Sequence, residues 1–144
     1  MRILGIDYGE KRIGIAITDE MEITMRPLTV IQRRNRLHDI KELEKIIHEY
    51  GVEMIVMGYP VSLDGSEGLA CEKVNRFIHR LENAFPLKVT RQDEMLSTRE
   101  AEEILHRTRK SMKERRNMVD SLAACLILER YLENRNRQEP AGRS

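Results

Sequence analysis

Tryptophan is absent from this chain of 144 residues, and there are only two phenylalanines and four tyrosines. The core therefore has to be built from Ile, Leu, Val and Met. Two cysteines occur, Cys71 and Cys125, and they form no CxxC pair, which argues against a zinc knuckle and fits a reducing compartment. No apolar run reaches the length of a membrane span and no apolar leader opens the chain. The expectation is a cytoplasmic, soluble protein with no membrane partner. Net charge is only +1, so composition alone does not announce a nucleic-acid binder. The length suggests one domain, able to bury on the order of two thirds of its unfolded surface without a disulfide or metal staple.

What is present is concentrated near the start. The apolar run Ile3 to Ile6 ends in a carboxylate at Asp7, followed by Gly9, Lys11 and Arg12. A second run, Ile13 to Ile17, stops at Thr18-Asp19. Short β-branched runs bounded by glycine and charge read as a buried hairpin, strands 2–8 and 12–19. Aspartate is depleted in strands because burying its charge is costly. Asp7 has two readings: it shapes the turn, or it is an ion ligand held on a rigid element.

Further along, residues 22–31 read as a third strand, with Pro27 pointing to an edge or a bulge. Leu37, Ile40, Leu43, Ile46 and Ile47 follow helical spacing, so a helix spans about 36–50 and stops at Gly51. A buried strand is expected at 52–57. A loop at 61–68 follows, in which Asp64 or Ser66 caps a helix over 67–84 with Leu69, Val74, Phe77, Ile78 and Leu81 on its apolar face. Pro86 ends that segment. A fifth strand is expected at 87–90, a helix at 98–108 with Ser97 and Glu100 as its capping box, and a last helix at 117–134. The basic window 107–116 reads as an exposed loop, and 135–144 as a frayed polar tail after one domain of 1–134. Three strands without an intervening helix imply antiparallel neighbours, and two more reached through helices imply parallel addition. The fold class is α/β: a five-stranded mixed sheet flanked by helices.

Two basic groups stand out, Arg33, Arg34 and Arg36, and the window from Arg107 to Arg116 with Arg115 and Arg116 at its end. Each reads either as a solvated face or as a contact for a phosphate backbone. Three acids stand where elements would aim them together: Asp7 ending strand one, Glu94 just past strand five, and Asp120 early in the last helix. Ala123 and Ala124, one turn on, are small enough to let that helix approach the sheet. Ligands in open α/β sheets bind at the carboxyl ends of strands. Three carboxylates converging at about 5 Å would cost roughly 3 kcal/mol per pair at an effective dielectric near 20. That approaches the whole stability of a small domain. They would have to protonate or bind cations, and all-oxygen ligands favour Mg²⁺ or Mn²⁺. Two such ions would clamp the attacking water and leaving oxygen of a phosphodiester. The plainer reading leaves Glu94 and Asp120 as surface acids. Histidines 38, 48, 79 and 106 show no metal-ligand spacing and read as surface residues.

Four stretches, Asp7 to Gly14, Gly58 to Gly68, Asp93 to Thr98 and Asp120 to Ala124, resemble in order and spacing the YqgF family of the ribonuclease H-like superfamily. That family is described as Holliday junction resolvases or pre-16S rRNA nucleases. The resemblance covers residues 1–134. It implies a ribonuclease H-like fold and a catalytic triad of Asp7, Glu94 and Asp120 that binds Mg²⁺ or Mn²⁺, two ions in all. Asn117, one helical turn before Asp120, would be an accessory metal ligand where related resolvases carry an acid. Met95 stands where the third motif usually has Arg, and Arg91 or Arg99 would then supply the phosphate contact. Lys11 and Arg12 either touch phosphates or are solvated turn residues, with the motif match favouring phosphate. The implied function is a metal-dependent endonuclease on structured nucleic acid. Precursor 16S rRNA, in the context of ribosomal particles, ranks above a four-way DNA junction. A resolvase would need a homodimer, whereas an RNA nuclease could act as a monomer. Two further readings remain at this level: nucleotide binding at Asp7-x-Gly9, and a non-catalytic RNA-binding module.

Overall fold

The computed structural model describes residues 1–62, 64–94 and 112–138, and for residues 112–116 and 138 the backbone alone. The helix expected at 98–108, its capping box, Met95, Arg99 and the chain beyond Gln138 lie outside the described residues. Arg115 and Arg116 are described as backbone only.

The hairpin forms as expected: β1 (Arg2–Tyr8) and β2 (Arg12–Thr18) pair antiparallel, with Asp7 opposite Gly14. β3 (Met25–Gln32) adds antiparallel to β2 at the sheet edge. Its register shifts between Ile15 and Ala16, where Ala16 faces Pro27. Proline has no amide hydrogen for a ladder, so both the bulge and the edge position suit it. β4 (Val52–Tyr59) runs parallel to β1, and β5 (Lys88–Asp93) runs parallel to β4. The sheet order is β3-β2-β1-β4-β5. Both later strands run two to three residues longer than the apolar pattern suggested, because ladder pairing continues into Gly58, Tyr59, Gln92 and Asp93. That extension carries Glu94 to the end of the sheet.

Helix α1 (Arg36–Tyr50) starts at Asn35, whose side chain accepts a hydrogen bond from the His38 amide. It ends at Gly51, which takes a left-handed φ of 61° and returns its N–H to the Ile47 carbonyl. Helix α2 (Leu69–Ala84) begins differently from expectation. Its cap is Gly68, with no side-chain hydrogen bond, while the Asp64 carboxylate accepts the Ser66 amide inside the preceding loop. Helix α3 (Met112–Gln138) is longer at both ends than the apolar pattern indicated. Residues 112–116 are helical rather than loop. Beyond Asn134 the helix continues because Arg135 forms an ion pair with Glu22 in the β2–β3 turn.

The alternation of strand side chains builds two cores. Leu4, Ile6, Ile13, Ile15, Ile55 and Met57 pack under α1 and α2 with Leu43, Val74, Phe77 and Leu81. Ile3, Ala16, Met54 and Val56 face α3 and meet Ala124, Ile127 and Leu128. Leu37 and Leu69, expected on apolar faces, stand in the first turns of their helices and are 66% and 73% exposed. Cys71 is buried and Cys125 half-buried, and both are free thiols. Among the described residues no helix is long and apolar enough to cross a membrane.

Candidate active site

Asp7 is the last acid-bearing position of β1 before the turn, and period-two alternation puts it on the same sheet face as Ile3 and Gly5, toward α3. What brings α3 close is missing side chains. A Cβ on Gly14 would lie 2.0 Å from the Asp120 carbonyl oxygen, and one on Gly5 would lie 2.5 Å from Leu128 Cγ and 2.9 Å from the Ala124 carbonyl oxygen. Ala123 and Ala124 are fully buried on the facing side of the helix. The small residues therefore act as a pair of matched faces, and the first turns of α3 lie directly on β2 beside Asp7.

Glu94 arrives from the other direction. Its amide donates to the Tyr59 carbonyl at 3.2 Å, which continues the β4–β5 ladder by one residue. Its carboxylate sits over Gly58, where a Cβ would come within 2.7 Å of Oε2. Gly58 thus makes room for the acid from inside a strand, rather than shaping a turn. The carboxyl groups of Asp7 and Glu94 are hydrogen-bonded.

Burial pushes the Asp7 carboxyl up from its ordinary 3.8 to about 6. The hydrogen bond with Glu94 works against that shift, and the negative charge of Asp120 adds to it. Asp120 itself is answered by Arg12, whose Nε donates to Oδ2 at 2.6 Å. The charge of Asp120 is thus answered by a guanidinium, while burial holds Asp7 toward its protonated form. Arg12 is therefore not a solvated turn residue; it is the partner of an acid.

The other candidate residues fall at varying distances from this centre. Asn117 accepts a hydrogen bond from Gln32 Nε2 at 3.4 Å, at the β3 side of α3. Lys11 is exposed, and its carbonyl receives the Arg33 amide at 2.9 Å. Arg91 turns toward α2, where Nε donates to Asn75 Oδ1 at 2.9 Å and the guanidinium lies 5.6 Å from the Tyr59 ring centre. Asn75 in turn donates to the Tyr59 hydroxyl, which is also hydrogen-bonded to Glu67, so this network ties the 61–68 loop to the ends of β4 and β5.

Sequence reading missed Arg33 as a positioning residue. Its Nη1 donates to the carbonyls of Gly9 and Glu10 at 2.9 and 3.0 Å, and its Nε reaches buried Asp39 at 3.3 Å. It also lies 4.5 Å over the Tyr8 ring. The β1–β2 turn next to Asp7 is thereby fixed to the N-terminus of α1. Also missed were Lys73, Arg76 and Arg80, whose i, i+3, i+7 spacing on α2 was a readable signal for one basic helix stripe.

Among the described residues no three His, Cys, Asp or Glu side chains are grouped closely enough to hold one ion together. The donor chemistry nonetheless fits a hard cation. Asp7, Glu94 and Asp120 offer only oxygen, and Asn117 adds an amide oxygen one helical turn away.

A family model described as "RuvX: Holliday junction resolvase" matches residues 1–134. A protein of Syntrophus aciditrophicus named "Putative pre-16S rRNA nuclease" is 52% identical over 133 residues, covering 92% of this chain and 89% of the relative. A protein of Halothermothrix orenii with the same name is 40% identical over 137 residues, covering 95% and 98%. Among solved structures, Thermus thermophilus RuvC in complex with a Holliday junction substrate has a TM-score of 0.55 at 14% identity, covering 93% of this chain and 96% of that one. The fowlpox virus resolvase bound to Holliday junction DNA has a TM-score of 0.51, also at 14% identity, covering 93% and 98%. Both structures share the ribonuclease H-like fold with this chain.

Proposed function

The chain belongs to the RuvX family of Holliday junction resolvases, and from that premise we propose that it is a divalent-metal-dependent endonuclease that hydrolyses phosphodiester bonds near the 5′ end of precursor 16S rRNA. The observation that carries this reading is that Asp7, at the carboxyl end of β1, interacts directly with Glu94 and feels the negative charge of Asp120. The names of the relatives favour RNA over a DNA junction.

Asp7, Glu94 and Asp120 would hold the ions, with Asn117 as an accessory ligand. Bound Mg²⁺ or Mn²⁺ supplies Lewis-acid stabilisation of the charge that develops on the phosphodiester. The protein's own groups do the rest. Asp7 stands on a strand paired on both sides, so its carboxylate is fixed before substrate arrives. Asp7 must be ionised to act as a ligand, and a pKa of about 6 permits that at neutral pH. Arg12 must give up Asp120 for the same reason. Its freed guanidinium is then within reach of a phosphate oxygen, the kind of partner a guanidinium recognises best.

Asp7→Asn is the direct test. The variant is expected to lose Mg²⁺- and Mn²⁺-dependent cleavage of a labelled precursor 16S rRNA segment while retaining, or gaining, affinity for it, because one negative charge near the phosphate is gone. Cleavage at the wild-type rate by this variant overturns the mechanism. Loss of RNA cleavage with symmetric cutting of a four-way DNA junction by the wild type would move the substrate to branched DNA.

A further inference from the structure

On the face opposite α3, a groove of about 890 Å³ runs between the start of α1 and the first half of α2. Its floor is made by Tyr8 and Gly9 at the end of β1 and by Pro60 after β4, and it reaches Glu94. Its walls are basic. Arg36 contributes from α1, and Lys73, Arg76 and Arg80 contribute from α2. Among these, Lys73 is paired with Glu10 at 3.3 Å. Arg76 reaches only a backbone carbonyl of its own helix, at 3.5 Å. Arg36 and Arg80 have no carboxylate partner among the described residues. Positive charge is thus left uncompensated on both walls of one groove that reaches one of the three acids, Glu94.

The dimensions suit a single strand. From Lys73 to Arg80 the helix rises about 10 Å, at roughly 1.5 Å per residue. Phosphates of a stacked strand rise about 3.4 Å each along its axis, so that length covers about three of them, and fewer where the strand is extended. At about 890 Å³ the groove has the size of a small-ligand cleft, room for a short stretch of one strand and not for a duplex. At the rim, Leu69 is 73% exposed and gives an apolar contact for a base or sugar. We propose that this groove binds the backbone of an unpaired strand flanking the scissile phosphate, with Arg36 and Arg80 as its phosphate contacts on the two walls. The proposal rests on the nuclease reading and adds to it that the enzyme selects a single-stranded tract beside the cut.

The test is anisotropy of a short labelled single-stranded RNA with the full chain, over a range of salt, comparing wild type with Arg36→Gln/Arg80→Gln. Lys41→Gln/Lys88→Gln, at two exposed lysines outside the groove, is the control for net charge. Loss of two phosphate contacts should weaken binding roughly tenfold at low salt and lower the slope of log affinity against log salt by about 1.4. The control should move neither by as much. In cleavage assays KM should rise while kcat stays within about twofold, since neither arginine touches the acids. Unchanged affinity and slope in the double variant overturn the groove proposal. An equal loss for a blunt duplex overturns the assignment to an unpaired strand. Neither result touches the nuclease reading, which fails only if Asp7→Asn still cleaves. Matching circular dichroism and melting of all variants establish that the folds are intact.

Discussion

At Asp7, burial and the nearby charge of Asp120 favour the protonated carboxyl, and the consequence for stability has a definite sign. The folded protein holds this proton up to about pH 6, whereas the unfolded chain releases it near 3.8. Folding therefore carries no penalty below about pH 4, a growing one between 4 and 6, and the full one above 6. Two pKa units correspond to roughly 3 kcal/mol, an upper figure for a group coupled to its neighbour. In EDTA, Asp7→Asn should accordingly raise the free energy of unfolding at neutral pH by up to about 3 kcal/mol, with the difference vanishing near pH 4. Chemical denaturation at the two pH values checks this. An equal effect at both would assign the gain to packing rather than to the proton. The sequence made Asp7, Glu94 and Asp120 legible as acids at element ends. It did not reveal that Arg12 answers Asp120, because a pair 108 residues apart leaves no local signature.

The elements were mostly legible because their hydrophobic periods are clean. β1, β2 and α1 matched within a residue at nearly every end, and Gly51 stopped α1 for the reason its position implied. The ends that shifted are those fixed by tertiary contacts. β4 and β5 lengthen through ladder pairing, and α3 lengthens where Arg135 meets Glu22. The cap of α2 was misread because Asp64 spends its carboxylate on its own loop. Close approach of α3 to the sheet makes the glycines the sensitive positions. Gly14→Ala places a methyl 2.0 Å from backbone that cannot swing aside. Overpacking of this kind typically costs about 1–3 kcal/mol or more, and here it also displaces Asp120. The expected result is a lowered melting temperature together with loss of cleavage. Gly51→Ala, in open space but at a left-handed φ, should cost only about 1 kcal/mol and leave activity intact.

Across the whole molecule, one sheet serves two cores. The β1, β2 and β4 side chains alternate between the α1–α2 side and the α3 side, so neither layer can loosen without exposing the other's backing. A single cooperative unfolding transition is expected. Leu81→Ala on one side and Leu128→Ala on the other should each shift that entire transition, by about 2–5 kcal/mol, without splitting it. Unfolding followed by circular dichroism and by tyrosine fluorescence should coincide in both variants; separate midpoints would mean that α3 can leave the sheet independently.

The docking of α3 onto Gly5 and Gly14 also bears on synthesis. Asp7 leaves the ribosome well before Asp120, its neighbour in space, which is made more than a hundred residues later. At roughly 5–20 residues per second, about 5–20 seconds separate the two. During that interval the sheet can begin to form, but the acids have not met. On the proposed mechanism, a nascent chain is therefore inert toward the nucleic acid crowding it until α3 closes over the first two strands.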